Sequence, residues 1–176
     1  MSGMSTHSLP WPFRTNSAPR YTPLTPHLDY HGEGGEFFDF MALQNGTLAL
    51  FVSADEVNFF FARVDPVHRE LVFANALRES PLLVRKNAAR VIRLKMSDGE
   101  ERTLGLEPGD VLVAFTGHAP EVAVIQAIRE NPDARAKTLV SLIRELAPET
   151  VVVVRFIAVE EPALAEESSE MELAVA

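Results

Sequence analysis

Two carboxylates sit in a glycine-led aromatic run, Gly34-Gly35-Glu36-Phe37-Phe38-Asp39-Phe40, and two more follow at Asp55-Glu56. Carboxylate oxygens are what hard divalent cations demand, and Mg²⁺ needs several of them in near-octahedral order. Glu36 and Asp39 are three residues apart in a stretch that alternates as a strand. Their side chains therefore tend to opposite faces, and joint ligation would need a bulge. Solvated or ion-paired carboxylates are the plainer reading. Asp55 and Glu56 fall at a turn, where acidic residues are ordinary. His118 follows Gly117 at the end of an apolar stretch, and His31 lies close to the Gly-Gly segment. Imidazole ligates transition metals but suits Mg²⁺ poorly. A His31/Glu36/His118 site is one arrangement open to such a metal; helix capping or surface placement is the plainer role for His118. Asn75 reads as a loop residue that satisfies backbone groups, and Phe59-Phe60-Phe61 reads as core. No glycine-rich phosphate loop, metalloprotease motif or informative Ser-His-Asp spacing is present. Cysteine is absent, which removes disulfides, thiolate catalysis and Cys-ligated zinc, and fits a reducing compartment.

The elements that must position these residues are read from periodicity. Residues 1–26 hold five of the twelve prolines, spaced by Ser, Thr and Asn, and read as an extended arm. Trp11 and Phe13 would be its anchors. From His27 to Arg93 the pattern is β. Glu36–Leu43 alternates, Gln44-Asn45-Gly46 is a hairpin turn, and Thr47–Val52 returns. Asn58–Val64 is apolar on both faces, as in a strand covered on each side. Short strands are expected at Glu70–Ala74, Leu82–Arg85 and Ala89–Leu94, with a turn at Ser97-Asp98-Gly99. Pro108-Gly109-Asp110 turns into the strand Val111–Phe115.

The period then changes. Pro120–Arg129 is helical, with Val122, Ile125 and Ile128 on one side. Asn131-Pro132 reads as the N-cap and first residue of a second helix. Its stripe is Leu139, Leu142, Ile143 and Leu146. Thr150–Ile157 is the last strand. Many strands, two helices and a final strand predict an α+β domain over 27–158, with helices packed on largely antiparallel sheet. Residues 159–176 form an acidic tail with too little apolar content to order itself.

Composition bounds the function classes. The chain is 47% apolar and carries a net charge of -9, with a pI near 5.0. That field repels nucleic-acid phosphates and anionic membranes, so neither is an expected partner. No apolar run approaches a membrane span, and the N-terminal residues offer no apolar signal region. A cytoplasmic location is the expectation.

Seven pieces between Gly34 and Arg155 resemble, in order, the SpoIIE branch of bacterial PPM-type protein serine/threonine phosphatases. Gly34-Gly35-Glu36-Phe37-Phe38-Asp39-Phe40 is similar to that family's G-G-D-F-Y-D-F opening. Asn45-Gly46-Thr47-Leu48-Ala49-Leu50 resembles its D-G-x-x-A-L hairpin. Phe60-Phe61-Ala62-Arg63-Val64-Asp65-Pro66 resembles T-L-F-Y-A-x-L-D-P. Glu70-Leu71-Val72-Phe73-Ala74-Asn75-Ala76 follows E-L-x-Y-x-N-A-G-H. Pro81-Leu82-Leu83-Val84-Arg85 follows P-L-L-L-R. Leu106-Glu107-Pro108-Gly109-Asp110-Val111-Leu112 is close to L-x-P-G-D-x-L, and Thr150-Val151-Val152-Val153-Val154-Arg155 resembles T-L-V-V-L-R. Each piece is common alone; the seven in order are specific.

The resemblance implies an α+β, PPM-phosphatase-like β-sandwich of largely antiparallel sheets. It also implies a centre of two Mg²⁺ or Mn²⁺ ions that activates water against phosphoserine or phosphothreonine. The family's acidic positions fall here on Glu36, on Ser53-Ala54, on Gly117 and on Ala147-Pro148. Only Glu36 is a carboxylate. Asp39 matches a second family Asp, and Asp55 lies just past the lost one, so Glu36, Asp39 and Asp55 are the candidate metal ligands. A helical segment of the family is also missing, because Asp55-Glu56-Val57-Asn58 joins two strands directly. The helical cover is therefore expected to be reduced, and uncovered apolar sheet is an interaction surface.

The reading that follows is a degenerate, inactive phosphatase-like protein that binds a protein partner, such as a signalling phosphoprotein, with no resident metal. One alternative is an active phosphatase that uses Mg²⁺ or Mn²⁺ with rearranged ligands. The other is a self-associating module that forms a homodimer through its exposed sheet.

Overall fold

The computed structural model describes residues 22–32, 37–43, 46–86, 90–95 and 100–159. Residues 1–21 of the expected arm, 160–176 of the tail and the Ser97-Asp98-Gly99 turn lie outside them. The chain runs β1 (Leu24–Gly32), β2 (Phe37–Ala42), β3 (Leu48–Ser53), β4 (Phe59–Asp65), β5 (Glu70–Asn75) and β6 (Leu82–Val84). It continues through β7 (Val91–Arg93), β8 (Arg102–Gly105), β9 (Val111–Gly117), α1 (Glu121–Glu130), α2 (Ala136–Arg144) and β10 (Pro148–Ala158). Ten strands form two five-stranded sheets. The front sheet has the order β2-β3-β4-β5-β8 and the back sheet β1-β10-β9-β6-β7. Every pairing is antiparallel.

Alternation builds the sandwich. Leu50 and Val52 of β3, Phe60, Ala62 and Val64 of β4, and Leu71 and Phe73 of β5 turn inward. They meet Leu83, Leu112, Ala114, Val152, Val154 and Phe156 of the back sheet. The other face of the back sheet carries both helices. Val113, Phe115, Val151 and Val153 pack there against Val124, Ile128, Leu139 and Ile143. The front sheet receives no described helix on its outer face. The α+β sandwich with reduced helical cover is what the chain adopts.

Four local expectations change. Strand β1 starts at Leu24, so pairing with β10 begins inside the stretch assigned to the arm. Strand β4 is central, but no described helix covers its second face, where Phe59 is 36% exposed: the connection from β3 is too short to carry one. Val122 of α1 is 75% exposed, and Val124 takes the buried place beside Ile128. Asn131 caps the end of α1, not the start of α2. Its side-chain amide donates to the Ala127 carbonyl at 2.9 Å, and α2 begins only after Arg135. The cause lies across the layer. Arg155 of β10, 6% exposed, donates through its guanidinium to the carbonyls of Pro132 and Ala134, which holds the connection out of helical geometry.

Asn75 behaves as its context suggests. Buried at the end of β5, it donates to the Leu94 carbonyl and accepts the Leu77 N–H. The turn Pro108-Gly109-Asp110 locks the far end of β10 to the start of β9. Gly109 has φ +87°, and a Cβ there would lie 2.8 Å from Lys86 Cδ. Its N–H donates to the Phe156 carbonyl at 2.7 Å, and the Phe156 N–H donates back to the Asp110 carbonyl at 3.0 Å.

Asp110 is fully buried. Its Oδ2 accepts the Glu107 N–H at 2.9 Å, while Oδ1 finds no partner. Burial pushes this carboxyl up to about 6, against the Glu107 hydrogen bond and the nearby Arg85 charge, which favour ionisation. A folded-state value above the unfolded one means that the native state binds the proton more tightly. Stability from this group is therefore greatest below about pH 4 and falls as pH rises through about 6. The swing is on the order of 2–3 kcal/mol. Asp110→Asn removes the titration and leaves only a constant cost for its amide. Chemical denaturation of both proteins from pH 4 to 7.5 should show the wild type losing stability relative to Asp110→Asn across that window. A difference that stays flat with pH would refute the assignment.

Candidate functional site

The residues singled out for chemistry belong mostly to one end of the sandwich, where β3 and β9 end and β10 begins. Strand β10 pairs with β9 so that Pro148 stands opposite Gly117, and the register shifts between Pro148 and Val151. Two of the four expected acidic positions, Gly117 and Ala147-Pro148, are thus neighbours across a strand pair. The geometry is that of a converging site, but the side chains are not. Around it, Thr116 and Thr150 are both 1% exposed, and the Thr150 N–H donates to Thr116 Oγ1 at 3.2 Å. Gly32 lies opposite Thr150 on the neighbouring β1.

Gly117 is not a side chain trimmed from an otherwise receptive backbone. It has φ +88°, and a Cβ built on it would lie 2.9 Å from the Glu149 backbone nitrogen and 3.1 Å from Glu149 Cγ. Any carboxylate here would need the start of β10 to move. Ala147 also has a positive φ, 57°, and its N–H donates to the Arg144 carbonyl. This is the left-handed residue that ends α2, a position where Gly, Asn or Asp is at ease and Ala is strained.

Of the candidate ligands Glu36, Asp39 and Asp55, the described residues include Asp39 and Asp55. Asp39 lies on β2 directly opposite Phe51. Phe51 alternates with the buried Leu50 and Val52, so Asp39 shares the outer face of the front sheet. Asp55 is committed to the turn that joins β3 and β4. Its Oδ1 accepts the Val57 and Asn58 N–H groups at 2.9 and 2.8 Å, and Oδ2 accepts the Asn58 side-chain amide at 2.5 Å. These bonds, the Asn58 amide first, hold its carboxyl below the usual carboxylate range. Ser53 donates to the Asp55 carbonyl and closes the same turn. Ala54 is half-buried there, its N–H bonded to Asn58. Glu36 lies outside the described residues, and His118 is exposed. Among the described residues, no group of three or more His, Asp or Glu side chains could hold a metal ion.

Two clefts lie at the opposite end of β9 and β10, lined in part by the Pro81–Arg85 and Leu106–Leu112 pieces. One, of about 460 Å³, is lined by His68, Arg69, Glu70, Arg85 and Glu107 among others. The other, of about 210 Å³, is lined by Lys86, Gly109, Ile128 and Arg129 among others. Arg85 pairs with Glu107, and Lys86 pairs with Asp133 at 2.7 Å. Those cations are already engaged. Arg85 and Lys86 serve there as partners in structural ion pairs.

No protein-family model and no curated protein matches the chain. Solved structures do. The phosphatase domain of SpoIIE from Bacillus subtilis matches at 14% identity and TM-score 0.59, over 82% of this chain and 97% of that one. The RsbU and RsbW domains of a Mycobacterium tuberculosis protein match at 15% identity and TM-score 0.59, over 77% of this chain and 63% of that one. RsbX in complex with magnesium matches at 7% identity and TM-score 0.56, over 76% of this chain and 96% of that one. The fold is that of PPM-type phosphatase domains. The residues at this chain's matching positions do not fit the two-metal centre that such a fold implies, because the described ones supply a glycine, an alanine-proline pair and a serine-alanine pair.

Three substitutions read the backbone at this end. Gly117→Asp and Gly117→Ala should each destabilise the fold by about 1–3 kcal/mol, and by similar amounts, because the clash is with backbone and not with charge. Ala147→Gly should stabilise it by about 0.5–1 kcal/mol. Urea denaturation at fixed pH measures all three; a neutral Gly117→Asp would contradict the geometry.

Proposed function

We propose that this chain is a degenerate PPM-phosphatase-like protein that acts by binding another protein in a signalling pathway, without phosphoryl hydrolysis. The observation that carries the reading is Gly117. The fold brings it opposite Pro148, where a carboxylate would have to stand, and its left-handed backbone pressed against Glu149 leaves no room for a Cβ. A second hard cation next to a first needs several oxygen ligands, and a site short of them binds neither ion well. Asp55 supports the same reading, since both its oxygens are spent on closing a turn. The signalling role draws on the company of the fold: a similar domain belongs to a determinant of cell fate. No described helix is long and apolar enough to cross a membrane.

The test is hydrolysis of an aryl phosphate and of a phosphopeptide with Mn²⁺ and with Mg²⁺, beside the double variant Glu36→Ala/Asp39→Ala. The expected result is no turnover above the metal-only rate in either protein. Metal-dependent turnover in the wild type that vanishes in the double variant would establish an active phosphatase with rearranged ligands and overturn the proposal.

A further inference from the structure

Strand β2 forms an edge of the front sheet, and among the described elements it pairs with β3 alone. It is exposed on both of its faces. Phe40 stands opposite the buried Leu50 and so turns to the inner side of the sheet, yet it is 49% exposed. Met41 turns to the outer side and is 57% exposed. Asp39, Ala42 and Leu43 beside them are exposed as well. A helix or loop laid on a sheet covers one face of an edge strand. A further strand continues both faces at once and takes the edge itself.

Hydrogen-bond parity fixes which groups such a strand meets. The Leu43 N–H donates to the Thr47 carbonyl at 2.7 Å, so Leu43 is a hydrogen-bonded position of the β2–β3 pair. These positions alternate along an antiparallel pair. Asp39 and Met41 therefore also face β3, while Phe38, Phe40 and Ala42 turn their N–H and C=O groups away from it. Edge strands are commonly guarded against further pairing by charge, proline or short length. The three other edges carry such guards. Strand β1 holds Pro26 with His27, Asp29 and His31, β7 has three residues and ends in Arg93, and β8 has four and begins with Arg102. Strand β2 runs six residues without proline, lysine, arginine or a shift of register, and Asp39 is its one charge.

That charge selects the register for a second copy. Two copies of β2 about a two-fold axis run antiparallel. An axis at Asp39 opposes two like charges, which is destabilising. An axis at Met41 engages only Phe40 and Ala42 of each copy. An axis at Phe40 engages Phe38, Phe40 and Ala42 of both, sets Phe40 against its counterpart on the inner face, and places Asp39 opposite Met41 of the second copy. We propose that β2 pairs with β2 of a second copy of this chain about an axis at Phe40, which joins the two front sheets edge to edge. The proposal is independent of the catalytic reading, since its test reads mass and not turnover.

Sedimentation equilibrium of the full chain should show a reversible rise in mass with concentration, from 19.4 kDa toward twice that value. Ala42→Pro deletes an outward N–H in each copy and spares the β2–β3 bonds, so it should weaken association by about tenfold. Met41→Glu faces Asp39 of the second copy and should weaken it similarly, whereas Met41→Lys should tighten it. The double variant Asp39→Lys/Met41→Glu should restore association, which a misfolded edge could not do. Val122→Glu, on the exposed side of α1, should change nothing. A chain that stays monomeric at every concentration overturns the proposal. So does an assembly larger than a dimer, or a dimer indifferent to Ala42→Pro and Met41→Glu.

Discussion

Strand β10 is buried along both of its faces, and both layers of the molecule depend on it. Val152, Val154 and Phe156 point into the core between the sheets, while Val151 and Val153 point into the core beneath the helices. A strand with two apolar faces has only one stable place in such a fold, the middle of a sheet covered on each side. Its neighbours follow: β1 and β9 pair on either side, and α2 lies across β1 and β10. Phe156 makes the arrangement rigid at one end through reciprocal backbone bonds with the Gly109–Asp110 turn. Arg155 extends the control to the helical layer. It is one of the few buried charges, and it settles its guanidinium on backbone carbonyls between α1 and α2. Burying that charge is tolerable because hydrogen bonds replace its water.

The other end of β10 is where the fold and its chemistry part. The shift of register after Pro148 sets Ala147, Pro148 and Gly117 together in the way a converging acidic site requires. Glycine and alanine there adopt left-handed backbone, and threonine hydroxyls close the interior behind them. The fold is that of PPM-type phosphatase domains, while this end is a hydrogen-bonded, largely neutral junction. The β3–β4 connection is likewise closed on itself. Asp55 turns inward on its own loop, which makes a tight hairpin and leaves no described helix over the aromatic face of β3 and β4.

Much of the fold was legible because strand alternation and turn chemistry are local. The pairing of β2 with β3, the Pro108-Gly109-Asp110 turn and the apolar run of β10 each announce themselves within a few residues. The errors arose where a distant partner decided. Asn131-Pro132 has the chemistry of a helix start, yet the next residues form a turn whose Pro132 and Ala134 carbonyls are taken by Arg155, more than twenty residues away. Phe59-Phe60-Phe61 looks buried on both faces, but whether anything covers the second face depends on the length of a loop elsewhere. The candidate site was legible as a set of positions and not as a set of contacts. That Asp39 would share the outer face with Phe51 depended on strand pairing, which no single segment contains.

By itself, then, the sequence determined the order of elements, the inward and outward faces of the strands and the identity of the residues at the acidic positions. These follow from side-chain periodicity and from the backbone preferences of glycine and proline, which act over a few bonds. Only the tertiary structure decided that Gly117 is closed to any larger side chain, that Asp55 is spent on its own turn and that both described helices pack on the back sheet. Those facts depend on which backbone lies within 3–4 Å of which side chain across the sandwich, and that distance is set by packing between segments far apart in the chain.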